Sequence, residues 1–420
     1  MDDRQAWRMR VFAATWLGYA GYYFARKPFS IVKGAMGDDL HFSATTLGNI
    51  GAAYYIAYAI GQFASGGLGS WLGPRVVLLV GMAMSVVCNG MLGLEDNPTS
   101  LMVFMALNGF AQSTGWSANV GTMVAWFAPS ERGRVMGWWA TNFQVGGILA
   151  NTLAAAVAKA WGYQYAFATG SVILLVILAV NILWQRNKPE DVGLAPIDDP
   201  APPDGTVVAA PVATNTSTGL PDGMVTNLLL VATFYFFVKF IRYAIWSWAS
   251  YFLKKNYHLE SDMAGYVSTL FEVFGIPGVI LTGWLSERVF GNRRATISLI
   301  MLSLLTASCL AMYAVGTTSL PIFVLCLCVS GFALYGPDAL MTGAGAMDLG
   351  SKKHTALAAG VISGFGSMGS VVQELVISKR YDADKGDLGA IFGILLGAAF
   401  GAMFMMSVIV TRNKLGKSDV

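Results

Sequence analysis

Arg26, Lys27, Lys239 and Arg242 stand inside long apolar runs, where a positive charge costs several kcal/mol unless it faces a wet cavity or a partner. Charges in such places are candidates for chemistry. Lys239 precedes Arg242 by three residues, which puts both on one face of a helix. Lys27 follows Arg26 directly and turns about 100° away, toward the outer headgroups or a neighbouring helix. Tyr19, Tyr23 and Arg26 lie at spacings that place two phenols on the arginine's face, and Tyr58 can join them from the next run. Phenol hydroxyls hydrogen-bond polar oxygens. Two guanidinium forks facing one another repel until an anion enters, and their geometry matches the oxygens of a phosphate. The acids in these runs, Glu272, Asp338 and Glu374, are the available partners. Glu272 opens Phe271-Glu272-Val273-Phe274-Gly275-Ile276-Pro277-Gly278, where Gly and Pro are expected to break the helix beside a charge. It reads as a movable counter-ion for Arg242 or Lys239, with a proton-coupling carboxylate as the competing role. Asp338, in Tyr335-Gly336-Pro337-Asp338, can serve the same way, and Glu374 reads as internally paired.

These residues need elements that cross a membrane. Of 420 residues, 55% are hydrophobic and 12% charged, with mean hydropathy +0.56; that is about half the charge of a soluble domain. A water-soluble globule is excluded. A spanning helix takes about 20 apolar residues, and about twelve such stretches can be drawn between polar breaks, leaving no room for a separate enzymatic domain. There is no nucleophile–base set, metal-ligand spacing or phosphate-cradling loop, so neither an enzyme nor a cofactor is expected. Lys and Arg are spread singly between the apolar runs, which excludes a nucleic-acid surface. Cys88, Cys309, Cys326 and Cys328 fall inside the runs and read as small buried hydrophobes. The 48 glycines suit close helix packing, Gly360 and Gly364 forming one small-xxx-small pair. The N-terminus lacks a short cleavable hydrophobic region, so the first span is expected to be retained.

One long polar interruption, from Gln185 to about Met224, is rich in Pro, Ser and Thr and reads as a flexible linker. It divides the chain into residues 1–185, a linker at 186–224, and residues 225–420. Alternate connections carry 16 Lys and Arg on the side of both termini against 7, Lys33 among them, on the other, so the positive-inside rule places both termini in the cytoplasm. Six spans on each side imply an internal repeat. Gly66-Gly67-Leu68-Gly69-Ser70-Trp71-Leu72-Gly73-Pro74-Arg75 follows the second run, and Gly283-Trp284-Leu285-Ser286-Glu287-Arg288-Val289-Phe290-Gly291-Asn292-Arg293-Arg294 follows the eighth. Arg26 lies 40 residues before the first segment and Arg242 41 before the second, which makes the arginines approximate symmetry mates.

Both segments resemble the Gly-x-x-x-Asp-Arg-x-Gly-Arg-Arg loop of the major facilitator superfamily, the second with Glu for Asp, the first without the acid and one arginine. The resemblance implies an all-α membrane protein of about twelve transmembrane helices, in two pseudo-symmetric six-helix bundles around a central cavity. Within that superfamily, Gly18-Tyr19-Ala20-Gly21-Tyr22-Tyr23-Phe24-Ala25-Arg26-Lys27 resembles the first-span signature of the organophosphate:phosphate antiporter family. Asn108-Gly109 with Gln112 and Gly115-Trp116, Phe240-Ile241-Arg242-Tyr243, Glu272 with Gly275-Ile276-Pro277-Gly278, and Gly336-Pro337 resemble motifs of its fourth, seventh, eighth and tenth spans.

That resemblance implies exchange of an organic phosphate for inorganic phosphate by rocking of the two halves, with Arg26 and Arg242 holding the phosphoryl group. Tyr19, Tyr23, Tyr58, Trp116, Lys239, Glu272 and Asp338 complete the expected substrate site. The sequence also departs from family patterns. Phe143 and Gln144 stand where glycerol-3-phosphate-type members carry His-Asn, Gln62 replaces a second-span lysine, and Ser370 and Gln373 stand where the hexose-phosphate antiporter carries an acid and a lysine. The extra Lys239 suggests a ligand with a second negative group. An organophosphate sensor of the same fold and a proton-coupled carrier of an organic anion are the alternatives. A monomer in a bacterial inner membrane completes the expectation.

Overall fold

The computed structural model describes residues 3–197, 224–290, 293–342 and 355–415. The interruption that reads as a linker lies mostly outside them. Fourteen α-helices form among the described residues: α1 Asp3–Phe24, α2 Lys27–Asp39, α3 Ala44–Leu72, α4 Pro74–Leu92, α5 Pro98–Trp126, α6 Pro129–Trp139, α7 Thr141–Trp161, α8 Tyr163–Trp184, α9 Met224–Lys255, α10 Ser261–Arg288, α11 Arg294–Val315, α12 Leu320–Thr342, α13 Thr355–Ala383 and α14 Gly389–Lys414. By length and composition nine helices are apolar enough to cross a membrane among the described residues. Large apolar side chains such as Ile60, Val80, Leu175, Ile280, Leu325 and Phe404 are exposed, as lipid-facing surface must be.

Local chemistry sets several boundaries. Ser43 caps α3 by accepting from Thr46 N at 3.1 Å, and Asn97 caps α5 by accepting from Thr99 N at 2.8 Å. Pro28, Pro74, Pro98 and Pro129 sit in first turns, where a missing N–H is harmless. Arg8 donates to Glu131, which also accepts from Ala128 N at the start of α6, and the arginine holds that carboxyl below its ordinary range.

The first span is broken at Ala25–Arg26, where Arg26 ends one helix and caps the next (φ −113°). A carbonyl freed at membrane depth needs a donor. Asn108 of α5 supplies it, Nδ2 to Ala25 O at 2.8 Å. The break expected beside Glu272 is absent: α10 runs through Pro277. Its glycines serve close packing instead, since a methyl group at Gly275 would stand 2.6 Å from the Tyr335 ring. Gly360 and Gly364 meet nothing within 4 Å, so the expected packing pair is not one; Gly366, on the same helix, is where α13 presses against Tyr235.

Polar contacts between α1–α8 and α9–α14 concentrate toward the face opposite the termini. Asp38 pairs with Lys254 at 2.9 Å and with Lys255; Asp382 accepts from Ala44 N and Thr45 N at 3.1 and 2.6 Å; Lys159 meets Asp262 at 2.7 Å. Beneath them Lys33, fully buried, pairs with Glu374 at 3.2 Å and donates to Ser247 Oγ at 2.7 Å. Glu374 is thus internally paired, as expected, whereas Lys33 belongs to the protein interior and not to an outer connection. Toward the face of the termini the described polar contacts stay within one half: Arg4 to Ala195 O at 3.0 Å and Arg75 to Ile182 O at 2.6 Å. Among the described residues, the polar contacts between the two halves therefore gather at one end.

Candidate functional site

Arg26 owes its position to the break and to α5. Its Nε donates to Gln112 Oε1 at 2.9 Å, the same oxygen that accepts from Tyr54 Oη at 2.9 Å. Gln112 Nε2 is tied to Ser85 Oγ and to Asn108 Oδ1, both at 3.1 Å. One amide therefore fixes the arginine, and the next residue of the network satisfies the broken backbone. The guanidinium carbon lies over the rings of Tyr23, Tyr58 and Tyr54 at 5.1, 5.1 and 5.7 Å, contacts that favour a cation. Its Nη2 is buried without a hydrogen-bond partner. No carboxylate forms an ion pair with Arg26 among the described residues.

Arg242, on unbroken α9, has other company. It forms an ion pair with Asp338 of α12 and lies 4.4 Å from the centroid of the Tyr335 ring. Lys239, on the same face, reaches Tyr243 Oη at 3.4 Å and lies over the Tyr243 and Tyr235 rings at 4.8 and 5.3 Å. Tyr243 in turn packs edge-on to Tyr55 across the two halves, with centroids 5.2 Å apart. Both arginines act electrostatically on Tyr23, and both together with Lys239 act on Tyr243.

Glu272 is not the counter-ion of Arg242 or Lys239. It is buried and pairs with Lys27 at 3.0 Å, accepts from Trp246 Nε1 at 2.8 Å and from Asn151 Nδ2 at 2.5 Å. Lys27 also lies 3.6 Å from the Trp246 ring centroid. Lys27 does turn away from Arg26 and does reach a neighbouring helix, but what it meets there is the acid expected to serve α9. The physical reason is where α10 packs: it meets α7 and α2 across the halves, which brings Glu272 to Lys27 first.

A narrow cleft is lined by Tyr23, Phe143 and Gln144 from the first half and by Arg242, Tyr243, Trp246, Glu272 and Tyr335 from the second. Tyr23 and Tyr58 join Arg26 as expected. Tyr19 sits a layer away, with its ring centroid 5.7 Å from those of both Trp116 and Trp139, and Trp116 is 44% exposed. Gln112, Tyr54, Tyr243, Tyr335 and Trp246 contact the site cations or their partners without having been singled out for it. A polar amide inside an apolar run was the available signal for Gln112.

The sequence profile of the Major Facilitator Superfamily matches residues 15–234 and 228–418. The chain belongs to that superfamily; it is an integral membrane transporter and not an enzyme. It is 30% identical over 410 residues to the glycerol-3-phosphate transporter of Bacillus subtilis (strain 168), covering 94% of this chain and 92% of that one. A probable hexose phosphate transport protein of Chlamydia pneumoniae is 29% identical over 390 residues, 90% and 86% of the two chains. The membrane sensor protein UhpC of Salmonella typhimurium is 25% identical over 381 residues, 89% and 85%. Among solved structures, a bacterial homolog of the human lysosomal transporter Spinster, inward-facing and occupied, superposes with a TM-score of 0.72 over 99% of each chain at 13% identity. That likeness shows the fold, two bundles of the major facilitator kind.

Proposed function

We propose that this transporter exchanges an organic phosphate ester for inorganic phosphate by alternating access, the phosphoryl group being held between Arg26 and Arg242. Residues 1–185 and 225–420 are the moving bundles, and 186–224 is the linker. The observation that carries the reading is Arg26. Its Nε is pinned and its face is cradled by tyrosines, yet Nη2 remains buried and without a hydrogen-bond partner; an incoming oxyanion supplies the acceptor. Tyr23, which feels both arginines, lines the cavity beside Arg242. Binding would also relieve the repulsion between the two cations, so an anion can draw the halves together. The relatives' names support a phosphate ester as the organic substrate.

The membrane is read as a bacterial inner membrane, and the termini as cytoplasmic on the distribution of Lys and Arg, 16 to 7 in the sequence and still strongly one-sided once the buried Lys33 is set aside. The chain functions as a monomer. Protein reconstituted into phosphate-loaded vesicles should exchange external labelled phosphate for internal phosphate, and exchange should cease in vesicles without a counter-anion. The similarity to a membrane sensor favours one second reading, in which an organophosphate binds without net flux. Saturable binding with no exchange would select it.

A further inference from the structure

The charges around the cavity do not balance locally. Lys27 is held by Glu272 and Arg242 by Asp338. Lys239 has no carboxylate within ion-pair distance among the described residues. Asp338 acts on it only at longer range, and that carboxylate is already engaged by Arg242. The contacts Lys239 does make, a phenol oxygen at 3.4 Å and two ring faces at 4.8 and 5.3 Å, carry no full negative charge. An ammonium left so at bilayer depth is costly and needs water or an anion to offset it.

Packing keeps Lys239 where it is. A methyl group at Gly366 of α13 would stand 3.1 Å from Lys239 Cγ and 2.6 Å from the Tyr235 ring, so only glycine lets α13 approach and confine the lysine stem. Tyr243, which receives the ammonium, also lines the cavity beside Arg242. Three residues of α-helix separate Lys239 from Arg242, a rise of about 4.5 Å. A phosphate gripped by a planar guanidinium fork at Arg242 leaves the compact lysine charge roughly that distance along the same helix face.

We propose that Lys239 is a second anion subsite, which selects phosphate esters carrying a further carboxylate or phosphate a few bonds from the first. The inference rests on the phosphate reading above and names its substrate class. A charge-assisted contact is worth about 1.5–3 kcal/mol, which is about tenfold to a hundredfold in affinity.

The matched probes are 3-phosphoglycerate and glycerol 3-phosphate, which differ in a terminal carboxylate. Titration calorimetry on the purified full chain should show the acid binding at least about tenfold tighter. Lys239→Gln should bring the two affinities within about threefold of each other, while Lys239→Arg, which keeps the charge, should preserve most of the preference. Equal affinity for the two esters in the unmodified protein overturns the proposal without any variant. So does a preference that survives Lys239→Gln. Phosphate exchange in vesicles is read separately: exchange with equal ester affinities sinks the subsite alone, selective binding without exchange sinks the antiport reading alone, and neither binding nor exchange sinks both.

Discussion

Arg26 and Arg242 occupy matching places in the two halves, and their surroundings differ in kind. Arg26 stands at a helix break and is held by a neutral amide and three aromatic faces. Arg242 stands in the middle of an unbroken helix and is held by a carboxylate and one aromatic face. The first half presents a cation that pairs with no carboxylate among the described residues; the second presents a cation with an anion already on it. If the phosphoryl group binds as proposed, it displaces no described carboxylate at Arg26, whereas at Arg242 it competes with Asp338. On the proposed reading, transfer of Arg242 from Asp338 to the ligand is the step that would couple occupancy to movement, because only an interaction that differs between states can shift their balance. Pseudo-symmetry places the two charges, and the broken symmetry of their partners assigns the tasks.

The comparison breaks most visibly at the arginines. Arg26→Lys and Arg242→Lys should each lower phosphate exchange at least about a hundredfold, since an ammonium cannot reproduce a bidentate fork. Initial rates in phosphate-loaded vesicles measure this. Residual exchange above a tenth of the starting rate in either variant would remove that arginine from the phosphoryl site. Next comes the anchor. Gln112→Leu removes the acceptor shared by Arg26 Nε and Tyr54 Oη and should weaken phosphate binding about tenfold, through loss of a buried hydrogen bond to a charged group. The thermal midpoint reports separately whether the fold has suffered.

Asp338→Asn sharpens the contrast because its two effects have opposite signs. With the competing charge gone, phosphate affinity should rise by roughly three- to tenfold, while exchange slows because the ligand now leaves a cation that has no partner to return to. A fall in affinity would show that Asp338 positions Arg242 and does not compete for it. The same substitution in the first half has no counterpart, since no acid faces Arg26 among the described residues.

What sequence could and could not anticipate follows the same division. Cations in apolar runs are rare enough that their types and their spacing from a repeated loop mark a candidate site without any structure. The internal pairing of Glu374 was foreseeable because a buried acid needs a cation; that Lys33 would be the cation was not, since it stood where an outer connection was drawn. Glu272 was assigned to the wrong cations because the pairing depends on which helices α10 meets across the halves. The expectation of a broken backbone beside Glu272 fails. Gly275-Ile276-Pro277-Gly278 looked like a break, yet the neighbouring Tyr335 ring and Phe332 backbone fill the space beside its glycines and α10 continues. The break that does occur, at Ala25–Arg26, carries no sign in the local sequence, because Pro28 is as welcome in a first turn as in a loop, and the donor that makes the break tolerable sits 83 residues away at Asn108. Long-range satisfaction of a carbonyl leaves no local signature.

The smallest effect expected is also the most specific to the contrast between the halves. Tyr54→Phe keeps the ring beneath Arg26 and deletes only the hydroxyl that shares Gln112 Oε1. A carbonyl oxygen has two lone pairs and can accept from both donors, so removing one donor does not strengthen the other; it frees the amide to move and loosens the arginine it pins. The loss should be that of one ordinary hydrogen bond, about 1 kcal/mol, or roughly fivefold in phosphate affinity. Tyr335→Phe in the other half keeps the ring beneath Arg242 and deletes a hydroxyl that interacts with it, but there Asp338 continues to hold the guanidinium, and affinity should fall by no more than about twofold. Calorimetry on the two variants side by side tests this: if Tyr335→Phe costs as much as Tyr54→Phe, the carboxylate is not what fixes Arg242, and the two arginines are held in the same way after all.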